Sequence, residues 1–328
     1  MSQAKYIATR TAQTIVTIFL VMTFIFFLFR LMPGDFTSQM VEAGGDPEAV
    51  QAVRDEWGLD DPLYVQYYNF LVNYATLDPG VSPTTRQPVW EYVNIRILNT
   101  AILVGSGVIT AYILGSIIGT ITGTRRGTKT EKWGIIPLIM VGAIPSFFTA
   151  ILLIVVFASS TGLGWFPTSG IGPAGSGDYD TWWQSYLTTE FLYYAALPFT
   201  AVVFRYLYVP SLIMRTSVVE TMNQDFISYH RLTGMPKLER MKQVAKHSSL
   251  PIITLFPVSM SRALGGLVLI ETVFNWPGVG LLLVEATLAR DYPTVQFIFF
   301  IVAVFVILSN YFVDIFYGVI DPRVSVED

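Results

Sequence analysis

The chain has 328 residues, of which 52% are hydrophobic and 13% are charged, and its formal net charge is −4. Soluble domains usually carry about 25% charged residues, so this composition predicts a membrane protein. The sequence contains no cysteine, which excludes disulfide bonds, thiolate metal sites and cysteine nucleophiles.

Six apolar segments have the length of a transmembrane helix, which is about 20 residues. None shows the alternating pattern of a transmembrane β-strand. In chain order the segments are roughly 11–31, 98–123, 133–161, 192–215, 251–276 and 294–319. We therefore predict an all-α polytopic membrane protein with six transmembrane helices and both termini on one side.

The distribution of Lys and Arg predicts which side is cytoplasmic. These residues favour the cytoplasmic flanks of transmembrane helices. They are concentrated before the first helix, between the second and third, and between the fourth and fifth, whereas the loop 162–191 has none. Both termini, including the tail 320–328, are thus predicted to be cytoplasmic, and residues 32–97 to form an extracytoplasmic loop subdomain.

The two outer loops differ in pattern. In "GLDDPLYVQYYNFL" we expect short interfacial helices and turns, with Tyr64, Tyr67, Tyr68 and Phe70 on one face. This face either covers a pore mouth or membrane surface, or is an aromatic belt that only anchors the loop. The loop 162–191 is too rich in Gly and Pro for a regular element, and either lines a vestibule or simply connects two helices.

Small residues and prolines predict features inside the helices. Gly115, Gly119 and Gly123 recur every four residues on the second helix, which favours close approach of a neighbouring helix. Pro145 and Pro198 are predicted to interrupt apolar helices, and such interruptions often border cavities.

Two arginines fall within apolar segments. Arg205 precedes Arg215, the predicted inner end of the fourth helix, by about 15 Å of helical rise. Arg262 follows Pro251, the predicted start of the fifth helix, by about 16 Å. Both depths are near the midplane of a hydrocarbon core about 30 Å thick, where arginine usually faces a bundle interior or a wet cavity.

This matched depth predicts a polar path through the protein. The alternative is that each arginine pairs within the chain, with Glu271 or Asp314 as distant partners. The residues predicted to contribute to the translocation path are Arg205, Arg262, Pro145, Ser146, Phe147, Gly265 and Glu271.

No catalytic or cofactor motif is found. "RRGTKTEK" lacks the spacing of a phosphate-binding loop, and there is neither an H-E-x-x-H nor a G-x-S-x-G pattern. His230 and His247 have no carboxylates at ligand spacing. We predict that the chain is not an enzyme and holds no cofactor or metal.

The segment "HRLTGMPKLERMKQVAKHSSLP" is basic and lies between two apolar stretches. Gly234 and Pro236 are typical stop and start signals, so we predict helices over about 226–233 and 236–248. An apolar stripe is predicted from Leu232, Met235, Leu238, Met241 and Val244. Such a segment fits either an anionic lipid surface or a groove on a soluble partner.

Several sequence blocks resemble a known family. The chain is similar to the inner-membrane permease subunits of ABC importers, in the dipeptide/oligopeptide/nickel family, first-subunit type (dipeptide permease B type). The blocks that carry this resemblance are "FLFRLMPGD", "LDPGVSPTTRQPVWEYVNIRILNTAIL", "IPSFFTAILLIVVFASSTGLGWFPTSG", "MRTSVVETMNQDFISYHRLTG", "ETVFNWPGVGLLLVEATLARDYPTVQ" and "VDIFYGVIDPR". In this family small residues usually precede the glycine where Ser228, Tyr229, His230 and Arg231 stand here.

The resemblance implies a multi-subunit importer in the inner (plasma) membrane. Its implied partners are a second homologous permease, two ATPase subunits that bind ATP and Mg, an extracytoplasmic substrate-binding protein and the lipid bilayer, without nucleic acid. The implied cargo is a di- or oligopeptide, with oligosaccharides or nickel chelates as alternatives. A self-sufficient channel or secondary transporter is the alternative from another class.

The resemblance also implies domain limits and coupling residues. Residues 1–31 hold the first helix, and 98–319 form the transmembrane domain with a coupling loop over about 216–250. Contact with the ATPase is expected within 225–251. The residues predicted for ATPase coupling are Glu220, Asp225, His230, Gly234, Met235, Leu238, Leu250 and Pro251.

Overall fold

A computed structural model describes residues 3–31, 46–56, 58–172 and 183–320. Every regular element in these ranges is helical, apart from an isolated antiparallel bridge between Val81 and Pro88. The all-α prediction is therefore confirmed for this part of the chain. The predicted tail from residue 321 onward, and parts of the loops 32–97 and 162–191, lie outside the described residues.

The helices of the first half of the chain are α1 (Gln3–Leu31), α2 (Pro47–Glu56), α3 (Leu63–Ala75), α4 (Val89–Thr124), α5 (Lys129–Ala143) and α6 (Ser146–Leu153), which continues as a π-helical turn (Ile154–Ala158). Those of the second half are a 3₁₀ turn (Gln184–Leu187), α7 (Thr189–Met222), α8 (Asp225–Leu232), α9 (Lys237–Ser248), α10 (Leu250–Gly266), α11 (Val268–Val273), α12 (Val279–Leu288) and α13 (Tyr292–Ile320).

Among the described residues, four helices are long and apolar enough to cross a membrane, namely α1, α4, α7 and α13. The pair Lys129–Ala143 and Ser146–Ala158 passes the same test together, with a bend of 104° at the break. Shorter apolar helices occur at Leu250–Ala263 and Val279–Leu288. The structure thus has four candidate spans, or five if the bent pair is one span.

The bend between α5 and α6 has a local cause. Ile144 is extended, with φ −79° and ψ 132°, and Pro145 has φ −57° and ψ 140°. A proline disfavours the helical conformation in the residue before it. The predicted interruption at Pro145 is confirmed, so the apolar segment 133–161 is two helices rather than one.

Two other predicted helix features are wrong. Pro198 does not interrupt α7; it is buried within a continuous helix, where neighbouring packing holds the backbone together. The segment 251–276 is not a single helix, because Leu267 (φ −96°, ψ 3°) separates α10 from α11. Leu267 follows Gly265 and Gly266, and glycine is a weak helix former.

The chain divides into two compact units. The first comprises Met1–Leu98 and Gly278–Asp328, in which α1 packs along α13. Its core is aromatic, with the rings of Phe70 and Tyr74 4.2 Å apart and those of Tyr74 and Phe300 5.1 Å apart.

The loop between α3 and α4 is held by a buried carboxylate. The hydroxyl of Ser82 donates to Asp291, and the backbone N–H of Thr294 donates to the same carboxylate. On α3, Phe70 is buried and the Tyr67 hydroxyl bonds to Thr23, whereas two other rings are exposed. The predicted single aromatic face is therefore divided; its exposed members are Tyr64 and Tyr68.

The second unit comprises Asn99–Pro277, and a ladder of glycines brings α4 against α7. A Cβ added at Gly119 would lie 2.6 Å from the Met214 Cβ and 2.6 Å from the Ser211 carbonyl oxygen. Gly115 and Gly123 are equally closely packed against α7. The close approach predicted from these three glycines is confirmed.

Candidate functional site

The segment between α7 and α10 is a helical hairpin formed by α8 and α9, as predicted. Gly234 has φ +71°, and nothing would lie within 4 Å of a Cβ there. The Met235 N–H donates to the His230 carbonyl at 3.1 Å and closes the end of α8. Pro236 caps α9 rather than occupying its first turn.

Buried contacts attach this hairpin to the end of α7. Val244 of α9 and Ile227 of α8 are each 1% exposed. The buried Ser248 hydroxyl donates to the Thr221 hydroxyl oxygen at 2.9 Å. The hairpin is therefore packed directly against the end of α7.

The outer surface of the hairpin is apolar as well as basic. Leu232 is 87% exposed and Leu238 is 65% exposed, and the Tyr229 ring is also exposed. The predicted stripe is therefore not one face, because Val244 points inward while the two leucines point outward. Exposed apolar side chains beside basic ones suit an interaction surface.

A groove of about 400 Å³ lies beneath α9. Its lining includes Leu238, Met241 and Ala245 of α9, together with Ile117 and Met214 of the helices behind. Leu238 thus borders both the groove and the exposed surface.

Sequence reasoning missed an aromatic contact that links the two helices of the hairpin. The Phe226 ring centroid lies 5.5 Å from that of His230 and 4.7 Å from that of His247. The buried Nδ1 of His230 has no hydrogen-bond partner among the described residues. A phenylalanine at the start of a short helix gives no sequence signal that separates this role from ordinary packing.

The remaining predicted coupling residues lie at the ends of the hairpin. Glu220 is exposed in the last turn of α7, and Asp225 is exposed at the first position of α8. Leu250 and Pro251 are exposed at the start of α10. The structure therefore gathers the predicted coupling residues on the hairpin and its two junctions.

An ion pair that was not predicted holds the loop before α5 against α7. The Arg215 Nε donates to a Glu131 carboxylate oxygen at 2.8 Å, and the Gly127 backbone N–H donates to the other oxygen at 2.6 Å. The two ionised side chains are separated by 84 positions in the sequence, so no local pattern indicated their contact.

The two arginines predicted to line a path are both exposed on the surface of the second unit, Asn99–Pro277. Arg205 is on α7 and Arg262 on α10, and these two helices pack together. Neither arginine takes part in the ion pairs found among the described residues. Of the acids considered as partners, Asp314 pairs with Arg10 at 3.7 Å, and Glu271 accepts a hydrogen bond from Thr100 at 2.6 Å.

Two tyrosines and a serine lie on the same helices as the arginines or on the neighbouring helix α4. The Arg205 Cζ lies 5.6 Å from the centre of the Tyr206 ring. Tyr206 is half-buried on α7, which packs against α10. The Tyr112 hydroxyl bonds to the Ser259 hydroxyl, one turn before Arg262 on α10.

The other predicted path residues lie on α6, α10 and α11. Pro145 and Phe147 are exposed and Ser146 is half-buried at the start of α6, which packs against α7 and α11. Gly265 is in the last turn of α10, and its surroundings lie outside the described residues. Glu271, on α11, is buried.

Known protein families match almost the whole chain. A family model described as "Binding-protein-dependent transport system inner membrane component" matches residues 111–326. A second model, for the N-terminal part of such membrane components, matches residues 3–103.

Individual relatives match from end to end. The glutathione transport system permease protein GsiC of Escherichia coli (strain K12) is 29% identical, over 98% of this chain and 98% of that protein. The protein of the same name in Shigella boydii serotype 4 (strain Sb227) has the same identity and coverage. The oligopeptide transport system permease protein AppB of Bacillus subtilis (strain 168) is 31% identical, over 98% of this chain and 99% of that protein.

Proposed function

The chain belongs to the binding-protein-dependent transport system inner membrane component family and is a permease subunit of an ABC importer; from this premise we propose that it forms one half of a peptide translocation path. A second, homologous permease subunit supplies the other half. Two ATPase subunits bind ATP and Mg, and an extracytoplasmic binding protein delivers the cargo.

The α8–α9 hairpin is the observation that carries the coupling role. Its exposed Leu232 and Leu238 suit a hydrophobic groove on the ATPase, in the manner of helix-in-groove recognition. Val244 and Ser248 fix the same hairpin to α7. ATP-driven movement of the groove is thereby transmitted to a membrane helix.

We further propose six membrane crossings with both termini in the cytoplasm. The four long helices account for four crossings, the bent pair α5–α6 for one, and α10–α11 for one. The loop regions that contain α2 and α3 are then extracytoplasmic, and the α8–α9 hairpin is cytoplasmic.

Two kinds of observation support the proposed cargo and the proposed path. The names of the relatives refer to glutathione and oligopeptide transport, which favours peptide cargo. Within the chain, exposed arginines in the middle of membrane helices suit a water-filled path. We assign Arg205 and Arg262 to this path, together with Pro145–Phe147 of α6 and, on the following helices, Gly265 and Glu271.

The test is ATP hydrolysis by the purified complex of this chain, its partner permease, the ATPase and the binding protein. We expect peptide-loaded binding protein to stimulate hydrolysis. The double variant Leu232→Asp/Leu238→Asp abolishes stimulation and weakens co-purification of the ATPase, because charge replaces both apolar contacts.

Leu187→Asp is the matched control. Leu187 is also exposed but lies in the 3₁₀ turn before α7, about 50 Å of helix away from the hairpin. If the double variant keeps wild-type stimulation, or the control loses as much, the hairpin is not the coupling element.

A further inference from the structure

The two arginines and two tyrosines lie in the middle portions of three neighbouring helices, α4, α7 and α10. Arg205 is about 25 Å from either end of α7. Arg262 is about 18 Å from the first residue of α10, and Tyr112 about 18 Å from the last residue of α4. Because these two ends are both near the α8–α9 hairpin, Arg262 and Tyr112 lie at similar depth, and Arg205 lies about 7 Å farther from the hairpin along α7.

The charge of this cluster is not neutralised by a carboxylate in the ion pairs of the described chain. Both guanidinium groups are on exposed side chains, yet a charged group facing lipid at this depth is strongly disfavoured. The surface that carries Arg205 and Arg262 therefore faces water and cargo within the proposed path.

The two guanidinium groups are suited to binding a carboxylate. Guanidinium groups bind carboxylates through paired N–H donors. The Tyr206 ring beside Arg205 restricts the position of that guanidinium. Tyr112 is buried, and its hydroxyl donates to the Leu255 carbonyl at 3.2 Å and bonds to Ser259, so it fixes α4 against the helix that carries Arg262 rather than reaching the cargo.

Two positive charges on neighbouring helices complement a cargo with two negative charges. An acidic peptide has a C-terminal carboxylate and at least one side-chain carboxylate, whereas a neutral oligosaccharide has none. We propose that Arg205 and Arg262, with the Tyr206 ring beside Arg205, form a carboxylate-binding site in the translocation path, which favours acidic peptides over neutral ones. This inference rests on the proposed function.

The experiment measures uptake by the complete complex in proteoliposomes with one binding-protein preparation. The probes are the tripeptides Ala-Glu-Ala and Ala-Gln-Ala, which differ by a single carboxylate. In Arg205→Gln/Arg262→Gln we expect the ratio of acidic to neutral uptake to fall about tenfold or more, while stimulation of ATP hydrolysis by loaded binding protein is retained.

Two further variants separate recognition from folding. Arg205→Lys/Arg262→Lys retains both charges, so it keeps most of the ratio, although lysine lacks the paired donors of arginine. Arg126→Gln removes an exposed arginine of the α4–α5 loop, and it leaves the ratio at the wild-type value.

Three results would overturn this inference but leave the proposed function standing. They are an unchanged uptake ratio in the Gln variant, an equal fall in uptake of both tripeptides, and loss of the partner permease on purification. The last result would mean that the arginines pair between subunits. A wild-type complex with neither peptide uptake nor stimulated hydrolysis would instead overturn the proposed function, and the inference with it.

Discussion

Gly119 allows α4 and α7 to pack closely because it has no side chain. Because a Cβ there would overlap both the Met214 side chain and the Ser211 backbone, Gly119→Ala forces α4 and α7 apart. We expect a loss of about 1–3 kcal/mol of stability, measured as a lower thermal unfolding midpoint of the purified protein.

Gly105, on the same helix, is the matched control. Nothing lies within 4 Å of a Cβ at that position, so Gly105→Ala leaves the midpoint unchanged or raises it slightly, since alanine is the better helix former. Equal midpoints for the two variants would contradict the role assigned to the glycine ladder.

The ion pair between Glu131 and Arg215 gives a second prediction for single residues. Glu131→Gln removes the charge that Arg215 and the Gly127 N–H both contact. Because hydrogen bonds to charged groups contribute about 1.5–3 kcal/mol and this pair is partly exposed, we expect a loss of about 1–2 kcal/mol.

A double-mutant cycle with Arg215→Gln measures the coupling. The two single variants and the double variant should show similar losses of stability, since each breaks the same contact. Strictly additive losses would mean that the side chains do not interact in solution.

Sequence patterns predicted some of these residues and not others. Gly115, Gly119 and Gly123 were predictable because their period matches one helix face. Arg205 and Arg262 stand out because charge is conspicuous in an apolar segment, and their place in the path stays a prediction. The contacts of Tyr112 and Tyr206 were not predicted, because an aromatic residue in a membrane helix gives the same sequence signal whatever it contacts.

Among the elements, the α8–α9 turn has a testable conformational requirement. Gly234→Ala places a side chain at φ +71°, which costs about 1–2 kcal/mol without any steric overlap. We expect the protein to fold, but ATP hydrolysis stimulated by loaded binding protein to fall several-fold, because the hairpin no longer keeps its shape.

Gly164→Ala is the control for backbone strain alone. Gly164 has φ +62°, and the nearest atom to an added Cβ is 3.9 Å away, but it lies in the loop after α6. Coupling should stay at the wild-type level. A similar fall in both variants would show that strain itself, rather than the position in the hairpin, reduces hydrolysis.

Among the elements, local turn signals gave correct predictions, whereas a three-residue spacing of apolar residues gave a wrong one. The helices of the hairpin and the break at Pro145 were predicted, because glycine and proline act locally. The stripe from Leu232 to Val244 was wrong because it crosses the turn at Gly234. In addition, a spacing of three residues drifts about 60° per step around an α-helix, so its members cannot share one face.

At the scale of the whole molecule, the absence of cysteine makes topology directly measurable. A cysteine introduced at exposed Thr233, in the α8–α9 turn, should react with a membrane-impermeant maleimide only from the cytoplasmic side. A cysteine at exposed Thr84 or Thr161 should react only from the opposite side.

Right-side-out and inverted vesicles provide the two sides, and solubilised protein provides the control for full reactivity. Labelling of Thr233→Cys and Thr161→Cys from the same side would contradict the proposed crossings between them. Labelling of Thr84→Cys from the cytoplasmic side would reverse the proposed orientation.

The family was predictable at this scale because its signal is spread over several blocks in a fixed order. The number of crossings was less predictable. α10 is about 25 Å long, shorter than a core of about 30 Å, and it becomes long enough only together with α11. The proposed path and the proposed ATPase contact involve surfaces shared with other chains, which one sequence does not describe.

The glycine ladder has a mechanical consequence. Since α4 and α7 touch through backbone at three successive turns, we expect these two helices to move as one body. Ser248 of the hairpin bonds to Thr221 of α7, so a displacement of the hairpin would shift both helices together and connect the proposed ATPase contact to the proposed path.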